Sequence, residues 1–219
     1  MPNKNKKHND PWYEIAGAKR PDDPWYEIAG AKRPEKKEPR NFNEAVEIGL
    51  AKEQAKASPM LVPGSAEYMV KKLMDVAKLN KTAAIGAVAN LYAESKLDHT
   101  AKQKLSGGKI GRGRGLAQWE TGGRWDTDRN NLLKYAKSKG VDPFDKKRGA
   151  DIQLGFIGHE MDNIKQFGRV RDEMNKAKTV VEATNIFLKK YEKAGIPHKN
   201  VRLDYAQELE KKINALPGF

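Results

Sequence analysis

The stretch "TAAIGAVANLYAESKL", residues 82–97, contains no charged side chain until Glu94, in a chain where 32% of residues are Asp, Glu, Lys or Arg. On a helical wheel Ile85, Val88, Leu91 and Tyr92 share one side, and Ala83, Ala87 and Asn90 occupy the other. A helix over residues 82–94 therefore has no polar face to show to water, and such a helix is central and buried. Glu94 then stands at its C-terminal end, where desolvation and the negative end of the helix dipole both disfavour an ionised carboxyl. Two readings of Glu94 follow from the helix alone. It is either an acid that keeps its proton for chemistry, or the point where the helix reaches solvent and pairs with a cation such as Lys96.

The 219 residues suffice for one fair-sized domain with appendages. Lys and Arg total 42 against 29 acidic residues, a formal net charge of +13, which favours an anionic partner: nucleic acid, acidic lipid or a bacterial wall polymer. There is no cysteine, and His8, His99, His159 and His198 are too dispersed for a ligand motif. His159-Glu160 lacks the second histidine of a zinc helix, because position 163 is Asn. No metal and no other cofactor is expected. No apolar run approaches the ~20 residues of a membrane helix, and "MPNKNKKHNDPW" has no apolar stretch after its basic residues, so neither a membrane span nor a secretory leader is expected.

Residues 1–41 form a compositionally distinct, basic arm in which "DPWYEIAGAKRP" occurs identically at 10–21 and 23–34. The 13-residue offset is too short for the usual solenoid repeats, so the arm is expected to be disordered and to carry two linear motifs. Trp12, Tyr13 and Ile15, with Trp25, Tyr26 and Ile28, are anchors of the kind small binding segments use, and if they bind, two linked copies raise avidity by roughly 100-fold or more, which suits a repetitive partner. Neutral duplication is the competing reading. The arm carries +3 and the remainder +10, so the basic character belongs mainly to the folded part.

Residues 42–64 are expected to form a helical linker, and 65–219 the main domain. Ser65 is placed to cap a helix through about Leu79, and Thr179 with Glu182 has capping-box spacing for a helix through Tyr191. Gly140 is a natural helix stop, Asp142-Pro143 a natural start, and a last amphipathic helix is expected over 200–214. Between Leu97 and Trp119, "DHTAKQKLSGGKIGRGRGLAQW" reads as a small hairpin or irregular sheet. Mainly α with one glycine-rich hairpin is the predicted class. The hairpin brings bare backbone, an amide and an indole beside Glu94, which are the parts of a sugar-binding cleft.

"IGAVANLYAESKLD", "GRGRGLAQWETGGRWDTDRNNLLKYAKSKGVDP", "DIQLGFIGHEM" and "FLKKYEKAGIP", in that order, resemble the successive motifs of the phage tail lysozyme family over roughly residues 65–197. That family belongs with goose-type lysozymes and lytic transglycosylases. The resemblance implies an α+β lysozyme-like fold with a substrate cleft and a peptidoglycan-cleaving glycosidase with Glu94 as its catalytic acid. It further implies substrate contacts from Gly115, Leu116 and Gln118, with Trp119 supporting the hairpin or the cleft, and Tyr191 of the late aromatic-Glu motif at its wall. Lys96 stands where relatives commonly have Gly, and Lys193-Ala194 where a Pro often follows sooner.

For a second carboxylate the candidates are Asp98, Glu120, Asp126 and Asp128, and a single-acid transglycosylase route stays open. Lys109, Arg112 and Arg114 suit either glycan carboxylates or nucleic-acid phosphates. The favoured expectation is a muramidase made in the host cytoplasm, carried in the virion tail or interior and delivered to the host periplasm or wall. The alternatives are an inactive lysozyme-fold structural or DNA-packaging protein, for which nucleic acid is a possible but less favoured partner, and a module that binds glycan without cutting it.

Overall fold

The computed structural model describes residues 61–193 and 198–219, which fall in the unit Glu53–Phe219. The tandem-motif arm, residues 42–60 of the helical linker expected over 42–64, and residues 194–197 lie outside the described residues.

Helix α1, Ala66–Ala77, starts where Ser65 Oγ accepts a hydrogen bond from the Tyr68 N–H at 3.1 Å, as its capping position predicts. Helix α2, Lys81–Ser95, is capped by Asn80 and runs one residue beyond each predicted end. Every residue from Ala83 to Leu91 is buried, as the missing charges require. Helix α2 packs against α1 and against the later helices Lys165–Lys176, Val180–Ile186 and Lys199–Asn214. Burying so many small and branched side chains against neighbours on all sides is the main hydrophobic stabilisation of the core.

After α2 the chain forms β1 (Lys102–Lys104), β2 (Ile110–Arg114) and β3 (Trp119–Glu120), an antiparallel sheet in that order. The predicted hairpin thus has a third, two-residue strand that sequence pattern did not separate from the loop. Gly115 and Gln118 both hold positive φ, 70° and 47°, and the resulting turn lays Trp119 beside Arg114. A Cβ on Gly115 would stand 2.4 Å from Gln153 Oε1, so glycine is required there twice over.

Helix α3, Leu132–Ser138, ends before Gly140 as predicted, with Gly140 at φ 63°. Helix α4, Gly149–Asn163, begins later than the Asp142-Pro143 signal suggests. Asp142 accepts from the Phe144 N–H, and Asp145 from the N–H groups of Lys147 and Arg148, and these aspartate turns occupy the chain before the helix opens. Helix α5, Lys165–Lys176, was not anticipated.

Thr179 and Glu182 form the expected reciprocal cap: Thr179 Oγ1 accepts from the Glu182 N–H and Glu182 Oε2 from the Lys178 N–H. Helix α6, Val180–Ile186, then widens into a π-helical segment, Phe187–Glu192, closed by a hydrogen bond from the Lys193 N–H to the Leu188 carbonyl, five residues back. Helix α7, Lys199–Asn214, completes a bundle of seven α-helices with one small open sheet among the described residues. None of these helices is long and apolar enough to cross a membrane.

The α1–α4 crossing is close because Gly158 lies on it. A Cβ at Gly158 would sit 2.2 Å from the Val76 carbonyl oxygen, a backbone atom that cannot swing aside. Gly158→Ala is expected to destabilise the domain by about 1–3 kcal/mol, read as a lower urea midpoint with an unchanged slope.

Candidate functional site

A hollow of about 1090 Å³ lies between the end of α2 and the sheet. Glu94 and Lys96 line it from the helix, and Gln118 with Lys102 and Lys104 from the sheet side. Trp119, Tyr191 and Glu192 border it from beneath, yet the Trp119 and Tyr191 residues are only 2% and 0% exposed. Of the residues singled out in the sequence, Glu94, Gln118, Trp119 and Tyr191 therefore converge on one space. Gly115 and Leu116 do not line it: Leu116 is fully buried in the core, and Gly115 lies against Gln153.

The sheet is held to α4 by one buried amide. Gln153 Oε1 accepts from the Leu116 N–H at 2.7 Å, and its Nε2 donates to the His99 and Pro143 carbonyls, each at 2.8 Å. Two turns along α4, Glu160 performs the same service for the loop after β3. Its carboxylate, fully buried, receives two hydrogen bonds from Arg124 at 2.8 and 2.7 Å and a further one from the Tyr191 hydroxyl. Arg124 also donates to the Tyr191 carbonyl, and its guanidinium lies over the Phe167 and Tyr191 rings. Burial first, and the charge of Glu160 next, raise the Tyr191 phenol well above its ordinary value. The Trp119 indole N–H neighbours that phenol oxygen without completing a hydrogen bond. Tyr191 and Trp119 thus shape the floor from below.

Glu94 does not pair with Lys96, whose ammonium sits 4.2 Å from the centre of the Tyr92 ring. Its partner is Arg202 of α7, a guanidinium with 1% of its side chain exposed. The same Arg202 donates to the Asn90 carbonyl at 3.0 Å, to Asn90 Oδ1 at 2.9 Å and to Glu192 Oε2 at 3.2 Å. Asn90 is in turn anchored by donating to the Gly86 and Thr184 carbonyls. Glu192, with 3% of its side chain exposed, has its carboxyl well above the ordinary glutamate range. Burial is the main cause and the Glu94 charge the next, and together they outweigh Arg202.

Of the carboxylates proposed from sequence as a second acid, Glu120 and Asp128 line the hollow with Glu94, and Asp98 and Asp126 do not. Asp98 accepts from Thr100, Asp126 from Gly122 and Thr127, and Glu120 lies 3.7 Å from Arg112. Arg112 and Arg114 fold back on the backbone carbonyls of Thr121 and of Gly111 and Gly113. Arg202 was missed from sequence, but a signal exists: it shares a buried stripe with Ala206, Leu209 and Ile213, and a charge on an apolar stripe needs buried partners.

The raised Glu192 carboxyl makes stability depend on pH. A carboxyl that binds its proton more tightly when folded contributes stability that is full below its unfolded value, about 4.3, and is lost as pH rises through its folded value. Glu192→Gln is expected to flatten that decline, which paired urea titrations of both proteins from pH 4 to pH 8 measure. Arg202→Leu is expected to cost about 3–5 kcal/mol, because it leaves Asn90 and two carboxyls without their cation.

The phage tail lysozyme family matches residues 64–213. A curated relative, Morphogenesis protein 1 of Bacillus phage B103, is 29% identical over 154 residues, which are 68% of this chain and 39% of that protein. The chain thus spans about two fifths of the relative's length. With the four ordered motifs, the helical bundle and the small sheet all falling inside the matched span, the chain belongs to the phage tail lysozyme family.

Proposed function

We propose that the protein is a peptidoglycan muramidase that cleaves the MurNAc–GlcNAc bond, with Glu94 as the acid that protonates the leaving oxygen. Family membership supports a lysozyme-like activity in general. The observation that carries the finer reading is that Glu94 and Gln118, far apart in sequence, line one hollow large enough for several sugar rings. In this reading the hollow is the substrate cleft. Gln118 and the backbone of the sheet hold sugar hydroxyls, the buried Trp119 and Tyr191 support the wall behind them, and Lys102 and Lys104 receive carboxylates of the muramic acid or the peptide stem.

After the glycosidic oxygen takes the proton from Glu94, the oxocarbenium-like carbon is captured either by water or by the sugar's own hydroxyl. The first gives a reducing end and the second an anhydro sugar. Virion carriage and local opening of the host wall suit a family of tail lysozymes and a relative named for morphogenesis. In the same reading the tandem Trp-Tyr motifs of the arm dock the enzyme on a virion protein.

Purified peptidoglycan is digested with the wild type and with Glu94→Gln, and the soluble fragments are weighed by mass spectrometry. Muropeptide release by the wild type and a drop of at least ~100-fold in the variant are expected, and fragments lighter by one water identify anhydro closure. Equal release by both proteins would sink the role of Glu94, and no release from any wall type would sink the enzyme.

A further inference from the structure

Among the described partners of Arg202 the charges do not balance if every group is ionised. One guanidinium bonds to two carboxyl groups, Glu94 and Glu192, and its remaining described partner, Asn90, is neutral. The two carboxyls differ in their access to water: the Glu192 side chain is 3% exposed and that of Glu94 22%. Glu192 Oε1 is buried and receives no hydrogen bond. Both carboxyls bond to the same guanidinium, Glu192 through Nη1 and Glu94 through Nη2, so two acceptor groups meet at one cation unless one of them carries a hydrogen. A proton on Glu192 supplies the missing donor and leaves one negative charge for one guanidinium.

Other charges facing this cluster come from every side. Arg124 approaches Glu192 from the loop after β3, Lys193 and His198 flank the segment before α7, and Lys96 closes α2. Glu120 and Asp128 line the hollow as well. None of these replaces Arg202, which bonds to both carboxyls.

We propose that Glu192 is a positioning residue that stores, beside Arg202, the proton that Glu94 delivers to the glycan; this rests on the reading of Glu94 given above. At rest Glu192 is the acid and Glu94 the carboxylate. A sugar chain that fills the hollow strips water from Glu94 and destabilises its charge. The O–H bond of Glu192 then breaks as one forms on Glu94, and Glu192 is left as the carboxylate paired with Arg202. Glu94 gives the proton to the leaving oxygen, and the water or sugar hydroxyl that attacks the anomeric carbon returns one to the pair. Protons are conserved over the cycle, and neither carboxyl is alone with its charge in a dry site.

The test is the pH dependence of initial muropeptide release by the wild type, Glu192→Gln, Glu192→Asp and Glu94→Gln. Glu192→Gln keeps the volume and a hydrogen-bonding oxygen for Arg202 but stores no proton. Its rate at pH 7 is expected to fall at least ~10-fold and to recover towards acid, with the optimum moved down by about one pH unit. Glu192→Asp restores a neutral optimum at a reduced rate. A Glu192→Gln enzyme with the wild-type rate and optimum overturns the proposal, and so does an equal loss at every pH with a lowered melting temperature, which is a purely structural role. These outcomes are read only where Glu94→Gln is inactive; an active Glu94→Gln overturns the Glu94 assignment instead. Difference infrared spectroscopy of the wild type alone supplies a check independent of turnover: a protonated-carboxyl band at pH 7 is expected, and its absence overturns the proposal.

Discussion

A guanidinium taken out of water has to be met by oxygen atoms of its own chain, and an unmet one costs several kcal/mol. Arg202 is met by the backbone and side chain of Asn90 on α2, by Glu94 at the end of that helix and by Glu192 at the end of the π-helical segment. These partners fix the angle at which α7 lies on α2 and the place where the chain leaves α6. The π-helical geometry belongs to the same constraint, since inserting one residue per turn changes the direction in which Glu192 points. The apolar packing around α2 supplies the cohesion of the bundle, and this polar cluster selects one registration of its helices.

The sheet side of the hollow is built by a different device. Gln153 and Glu160 stand on the buried side of α4 and reach outward to the Leu116 N–H and to Arg124. A three-stranded sheet this short has little cohesion of its own. Its position is set by these two contacts and by the turn at Gly115, so α4 is to the sheet what α7 is to Glu94. Both walls of the hollow are thereby referred to helices of one core.

Much of this was legible in the sequence because the signals are local. The charge-free run of α2, the Ser65 cap, the Thr179–Glu182 box and the Gly140 stop each depend on residues within a turn of one another. Glu94 and Gln118 were each legible through the family motifs, whereas the hollow they share appears only in the structure. The missing parts are non-local or competitive. Nothing near Glu94 announces a cation from a helix 108 residues away, and Lys96 was the obvious neighbour in the string. The late start of α4 reflects aspartate turns that outcompete a good helix-start signal, and β3 is too short to show an alternation.

The distance in sequence between Glu94 and Arg202 also imposes an order in time. On the ribosome Glu94 is made first, and Arg202 follows only with α7, 108 residues later. Until α7 docks, Asn90 and Glu94 have no Arg202 guanidinium to align them. The cluster around Arg202 is therefore a late product of folding, and a bundle arrested before α7 docks carries Glu94 and Asn90 without the guanidinium that joins them.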